Sequence, residues 1–374
     1  MNKSAVLSVG LLAGTIIGAG IFSLPYLFSR IGFVLGVLYL LAFSGIYIAF
    51  YFMYSSLLFK EEKPHDFFRL AEKNLSAPYS KIASFFAIGE LLFVLVVYLI
   101  LAEKFLNFGF GISGSLSVVL FWALSSVFMF VRLRWLEVIE VLSTFSIVAL
   151  IIFIFFLGGT TMDVPNFSFF PKTLDWTLLL LPFGLLLFSF SGRSAISKIV
   201  EEYRKTKGSK NEFSLKKSFA WGTFIPAAIY FFFVLSVFRL GGDISPDTLS
   251  GLTFLSPVVC SVLGLLGLIA LWDSYFVIGI NIKDILILDA GWPRWIGFCI
   301  PLFLPLLLYF LGFKDLILVL GIAGGIFTAC AGIFVTRMWQ NAFPLNKFKN
   351  ISSILYVVFF AAIVYEILNI IFKF

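Results

Sequence analysis

Apolar residues run along this chain in eleven long, nearly unbroken stretches separated by short polar ones. A helix needs about 20 consecutive apolar residues to cross the hydrocarbon of a bilayer. Scanning for such runs predicts spans at 5–28, 32–59, 82–102, 112–131, 137–158, 176–197, 218–240, 255–282, 295–311, 316–336 and 352–372. The runs are continuous rather than alternating, which argues against a transmembrane β-barrel. The first run follows Met-Asn-Lys-Ser directly and continues through Pro25, as expected of a retained first helix. A cleaved signal peptide has a shorter apolar core ending at a small-residue site.

Composition points the same way. The chain is 61% hydrophobic and 13% charged, with mean hydropathy +1.06, whereas a soluble domain is about 25% charged. Most of its surface must face lipid, so an integral, multi-pass membrane protein is expected, and the short loops point to a prokaryotic plasma membrane. A net charge of +7 would suggest nucleic acid in a soluble protein; here basic loops facing a cytoplasm account for it, and no nucleic-acid partner is expected. Of the 27 Lys and Arg, 20 fall in segments that share a side with the N-terminus and six on the other side, Arg193 lying within a span. Such a bias places the N-terminus in the cytoplasm and, with an odd number of spans, the C-terminus outside. The two large hydrophilic loops, 60–81 and 198–217, are then cytoplasmic, too short for separate domains, and read as solvated charged faces. No motif sets an oligomeric state.

The two most irregular spans carry the candidate chemistry. Span 1 contains Gly14-Thr15-Ile16-Ile17-Gly18-Ala19-Gly20-Ile21-Phe22-Ser23-Leu24-Pro25-Tyr26. Each glycine weakens a helix by roughly 1 kcal/mol relative to alanine, and Pro25 removes a backbone donor. Small residues also let membrane helices pack closely, and on spacing alone the two readings stand level. Span 6 tips the balance with Phe188-Ser189-Phe190-Ser191-Gly192-Arg193-Ser194-Ala195-Ile196-Ser197. Interrupted helices at corresponding places in two halves point to a transporter's midplane site. Span 1 opens the first five spans (5–158), span 6 the second five (176–336), and span 11 (352–372) is an appendage within one transmembrane domain, 1–374. Breaking a helix frees N–H groups that suit a carboxylate and carbonyls that suit an ammonium group or cation. A zwitterionic amino acid offers both charges.

These two stretches resemble a known family. The first is similar to the first-helix signature G-x-x-I-G-x-G-I-F, followed by L-P-Y, of the amino acid/auxin permeases and the bacterial aromatic amino acid permeases. The second resembles the sixth-helix F-x-F-x-G-x-x-A-I of the wider amino acid–polyamine–organocation superfamily. The motifs cover about 25 residues; the topology covers the whole chain. The resemblance implies an all-α, leucine-transporter-like fold of five plus five inverted repeats with helices 1 and 6 broken and an eleventh helix added. It also implies that the amides of Gly18, Ala19 and Gly20 hold a substrate carboxylate. Carbonyls of Ile16 or Ile17, and of Phe188, Ser189 and Ser191 beside Gly192, would hold its amine, with Phe190 or Phe188 as an aromatic gate. In a chain with 49 Phe, lipid-facing filler is the rival for each aromatic.

Ionisable groups at membrane depth are costly and functional by default. Glu90 lies nine residues beyond Lys81 and Asp273 ten before Lys283, roughly 13 and 15 Å along a helix. Both are therefore near the midplane, in the repeat-equivalent spans 3 and 8, while Arg193 sits in the span 6 break. Arg193 is expected to pair with Asp273 or Glu90, one carboxylate carrying a coupling proton; a purely structural ion pair is the alternative. Trp272-Asp273-Ser274-Tyr275-Phe276 resembles the family's eighth-helix A-T-S-F, where hydroxyls in sodium-driven relatives join first-helix carbonyls around the ion. Here Ser274 keeps one hydroxyl and Asp273 replaces the other. That substitution means either a sodium site completed by Gly14 and Ile17 carbonyls or a protonatable stand-in for sodium, and the proton is favoured. Arg193 and Ser197 also depart from the family pattern, and an arginine near the site would favour acidic substrates. Glu366, near the end of span 11, is expected to reach the headgroups. Glu137 and Glu140 begin span 5 and need no special role.

Other chemistry finds little support. The sole histidine, His65, lies in a charged loop, which excludes a His-based zinc site or triad, and Cys260, Cys299 and Cys330 sit in apolar runs as small lipid-depth residues. No cofactor is expected beyond a coupling ion, H+ or Na+. A membrane enzyme would need a catalytic cluster, a channel a repeated filter, and a manganese or iron carrier on this fold the Asp-Pro-Gly-Asn and Met-Pro-His motifs; none is present. A sensor that binds an amino acid without carrying it remains the closest rival to a transporter.

Overall fold

The computed structural model describes residues 3–61, 67–130, 136–158, 168–171, 175–207, 212–344 and 349–372. The described residues are helical with short connections, and helices occupy all eleven expected stretches. Span 1 is α1 (Lys3–Ile16), a 3-10 turn (Ala19–Ser23) and α2 (Leu24–Ile31). Span 2 is α3 (Phe33–Lys60), followed by a short α4 (Phe67–Asn74). Span 3 is α5 (Ala77–Phe110), span 4 α6 (Ser115–Val127) and span 5 α7 (Leu136–Leu157). Span 6 is α8 (Trp176–Ser189) and α9 (Arg193–Lys207), span 7 α10 (Glu212–Leu240), span 8 α11 (Pro257–Asp284) and span 9 α12 (Arg294–Phe310). Span 10 combines α13 (Leu316–Gly321), a π-helical stretch (Ile322–Thr328) and α14 (Ala329–Ala342), and span 11 is α15 (Lys349–Phe372).

Six of these helices are each long and apolar enough to cross a membrane, three apolar helices are shorter, and two spans are bent pairs. The bends fall at the two glycine-bearing stretches, 49° between Ile16 and Ala19 and 41° between Ser189 and Arg193. Large apolar side chains such as Phe85, Phe156 and Val258 are exposed, as lipid-facing residues are, while the aromatics around the bends are buried.

Spans 3 and 8 run side by side along much of their length. They approach closely because neither carries a side chain at the crossing: a Cβ on Gly264 would stand 2.9 Å from the Phe105 carbonyl oxygen and the Gly109 Cα. Ser261 Oγ donates to the Gly109 carbonyl at 2.7 Å. This pairing puts Glu90, Tyr98, Asp273 and Ser274 on neighbouring helices beside the breaks. Asp175 and Asp315 cap the starts of α8 and α13, each accepting a backbone N–H, where the helix dipole favours a carboxylate.

Two expectations are corrected. The loop 60–81 is more than a solvated charged face: α4 buries Phe67, Phe68, Leu70 and Ala71 and packs on α5, because its eight residues gather their apolar members on one side. Lys73 Nζ reaches Glu61 Oε2 at 2.6 Å and Arg69 reaches Asp289 at 3.8 Å, tying this helix to the ends of spans 2 and 8. Glu366 does not reach the headgroups. It is 2% exposed and packs inward against Gly184, Gly321 and Gly325, which leave it room. The side chains of Glu137 and Glu140 lie outside the described residues.

Candidate functional site

Helix α1 ends at Ile16 and the chain restarts as a tight turn after Gly18, whose extended backbone (φ −145°, ψ −151°) no α-helix contains; no side chain caps the new start. Uncapped N–H groups at a helix start, with the positive end of its dipole, make a place for an anion. In span 6, Phe190 N–H still bonds Leu186 and Ser191 N–H bonds Phe188, both at 3.0 Å, after which α9 begins at Arg193. The two breaks touch. A Cβ on Gly20 would fall 2.5 Å from Ser189 Oγ and 2.7 Å from Ser189 Cα, so only glycine permits this approach.

Carbonyls freed by the breaks are met by buried tyrosines. The Tyr230 hydroxyl lies 2.6 Å from the Ile16 carbonyl and 2.8 Å from that of Ser189, one on each break. Tyr51 donates to the Phe190 carbonyl and Tyr47 to that of Leu187. Phe190 is fully buried and meets Tyr230 edge-on at 5.6 Å between centroids, while Phe188 is 8% exposed. Ser189 Oγ turns back to the Leu185 carbonyl at 2.7 Å.

The buried charges divide into two groups. Arg193 Nη2 lies 2.8 Å from Glu90 Oε2, and Ser191 Oγ donates to Glu90 Oε1 at 2.7 Å. The guanidinium also covers the Phe67 ring of α4 at 4.5 Å. Arg193 therefore sits on Glu90 and not on Asp273. Asp273, 5% exposed, accepts from Ser143 Oγ of span 5 at 2.5 Å, and from the Ser274 N–H and hydroxyl at 2.6 and 3.2 Å. The hydroxyl of Tyr98, on span 3, stands 3.8 Å from where a Gly18 Cβ would be. Tyr98, which interacts electrostatically with Asp273, is thus near both Asp273 and the span 1 break. Gly14 has open space where a Cβ would stand, and the Ser274 hydroxyl donates to Asp273; Ile17 is buried at the end of the first half-helix.

Side chains pack on either flank of the breaks. Phe22, just past the first break, is fully buried edge-on to Phe105 at 4.8 Å, and Thr248 Oγ1 donates to its carbonyl. On the other side Gly192 packs on Ile16, Tyr51 and Leu12. A cavity of about 10 Å³, room for one water, remains beside the pair, among Glu90, Ser191, Arg193, Tyr47 and Thr328.

Sequence reasoning named the break residues, Glu90, Arg193, Asp273 and Ser274, but missed Tyr47, Tyr51, Tyr98, Ser143 and Tyr230. For the tyrosines the available signal was the residue type itself. At lipid depth, among 49 Phe and 13 Tyr, a buried phenol needs a partner where phenylalanine needs none.

Comparison with known proteins gives a family and a fold. A family model described as "Transmembrane amino acid transporter protein" matches residues 1–250. No curated protein matches the chain in sequence. Its fold is similar to that of Mhp1, a nucleobase-cation-symport-1 family transporter solved in a closed conformation with bromovinylhydantoin bound, at 16% identity and TM-score 0.64 over 100% of this chain and 95% of that one. MhsT in complex with L-phenylalanine matches at 14% identity and TM-score 0.63 over 100% and 99%. The Eremococcus coleocola manganese transporter, in complex with an aromatic bis-isothiourea substituted compound, matches at 12% and 0.62 over 98% and 86%. At these identities the likeness is one of fold: leucine-transporter-like, with helices 1 and 6 broken.

Proposed function

Since the chain belongs to the transmembrane amino acid transporter family, and so transports amino acids or related small molecules, we propose that it is a secondary carrier driven by a proton, with alternating access around the two breaks. The carrying observation is the meeting of the breaks at Gly20 and Ser189. An uncapped helix start at Gly18 stands on one side and carbonyls of both breaks on the other. The amides of Gly18, Ala19 and Gly20 take the substrate carboxylate. Tyr230 has one proton for two acceptors, so the ammonium group takes a carbonyl of Ile16 or Ser189, with those of Ile17, Phe188 and Ser191 in reserve. Phe190 and Phe188 close over it. The Arg193 charge is balanced by Glu90, which favours a neutral amino acid over an acidic one.

Asp273 carries the coupling proton. Its charge reaches Tyr98, whose hydroxyl stands beside Gly18, and so bears on the carboxylate site, and Arg193 is committed elsewhere. Sodium at Gly14, Ile17 and Ser274 is the competing arrangement. The basic bias of alternate loops supports a cytoplasmic N-terminus and an external C-terminus.

The test is uptake of single amino acids into proteoliposomes under an imposed pH or sodium gradient. Accumulation driven by pH, and lost in Asp273→Asn while binding persists, is expected. Accumulation driven by sodium alone would refute the proton, and saturable binding without accumulation would make the protein a sensor.

A further inference from the structure

Glu366 lies outside this site, on α15, six residues before the helix ends at Phe372. Its side chain fills a cradle that glycines leave open. A Cβ at Gly184 of α8 would stand 2.6 Å from Oε1, one at Gly321 2.4 Å from Oε2, and one at Gly325 2.3 Å from Cγ. Gly321 ends α13 and Gly325 lies in the π-helical stretch of span 10. At the same seam a Cβ on Gly324 would stand 1.9 Å from the Gly184 carbonyl oxygen. Spans 6 and 10 therefore touch main chain to main chain where the carboxyl group is lodged.

Among the described residues, its surroundings offer no ion-pair partner. Asn369, one turn on, sets a neutral amide beside the carboxyl group. Tyr365 beside it interacts with Asp175 at the head of α8 and with Tyr26 of α2, and Asp315 caps α13. Tyr39 and Tyr47 of α3 are bonded to main-chain carbonyls of α8. On α14, Cys330 is a free thiol, and Arg337 acts on Tyr356, ten residues or roughly 15 Å before Glu366 on its helix. Arg30 of α2 lies 6.0 Å over the Tyr26 ring. Among the described residues no Lys or Arg makes an ion pair with Glu366. A buried carboxyl group without a cation partner takes up a proton rather than remain charged.

We propose that Glu366 is a proton-binding site of the span 6–span 10 seam, protonated while the two spans are closed on each other and deprotonated to water when they part. On release the O–H bond breaks, its electrons stay on the carboxylate, and the proton passes to water that enters the opened cradle; closing reverses the step. The inference rests on the alternating-access reading, which supplies the parting of the seam. It concerns a different group from Asp273, which three donors already meet.

Infrared pH titration of the purified full chain in lipid nanodiscs reads the proton directly, through the carboxylic-acid C=O band, and proteoliposome uptake is measured in parallel. At neutral pH the wild-type protein should show a band that Glu366→Gln lacks, and the variant should keep uptake with a flattened pH profile. Superimposable spectra of the two would overturn the proposal. Gly325→Ala, which drives a methyl group into the side chain, should lose the same band although the glutamate remains; a persistent band would show that the cradle does not hold the proton. Uptake without the band removes the proton site and spares the transport reading, whereas the band without uptake does the reverse.

Discussion

A Cβ on Gly20 would stand 2.7 Å from the Cα of Ser189, so the two helix breaks meet through their main chains. Alanine at position 20 must push the breaks apart, and overpacking of this kind costs about 1–3 kcal/mol. Gly20→Ala should fold with a lowered melting temperature and should lose amino acid binding. Ser189→Ala removes only a hydroxyl bonded within its own helix and should bind nearly as wild type. Thermal unfolding with and without substrate separates the two.

In the Glu90–Arg193 pair the carboxylate is buried and the guanidinium largely so, with side chains 6% and 13% exposed. Removing one partner of a buried pair strands the other charge, at about 3–5 kcal/mol. Glu90→Leu and Arg193→Leu should each be strongly destabilised. The double variant should recover most of the loss, and a double-mutant cycle by thermal or denaturant unfolding measures this. Additive losses would mean that the charges do not interact.

Tyr230→Phe takes the hydroxyl away from the carbonyls of Ile16 and Ser189. A buried polar group left without its partner costs about 1–3 kcal/mol, so the closed form should lose stability. Substrate should restore part of it, because its ammonium group then has no competitor for either carbonyl. The ligand-induced shift in melting temperature should therefore be larger in the variant than in the wild type.

The Tyr98 hydroxyl stands beside the Gly18 break. Tyr98→Phe should raise KM for uptake roughly 5- to 30-fold, the equivalent of one or two kcal/mol, with little change in stability because the ring stays packed. An unchanged KM would remove Tyr98 from the substrate path.

Much of this architecture was legible in the sequence because a bilayer imposes a length on every span. The breaks were legible because glycine, serine and proline crowd into two otherwise apolar runs. Arg193 could be assigned a carboxylate partner, since a lone charge at that depth is too costly, but two candidates stood open and only the fold sets the guanidinium between Glu90 of α5 and Phe67 of α4. Helix ends were less legible. Helix α5 runs from Ala77 to Phe110, past the expected 82–102, because a helix need not stop where its apolar run does. The tuck of α4 was hidden by its eight residues and charged setting. Tyr230 and Glu366 were hidden by distance along the chain, for their partners lie on other spans. A position near a helix end carries no sign of three glycines waiting on two neighbours.

The most direct measurement is binding of an amino acid beside its N-acetyl and carboxamide derivatives, followed by calorimetry on the purified chain. If main-chain groups of the two breaks hold both ends of a zwitterion, the free amino acid binds and neither blocked form does. Equal binding of either blocked form would contradict this, since the carboxylate or the ammonium group would then have no partner there to lose.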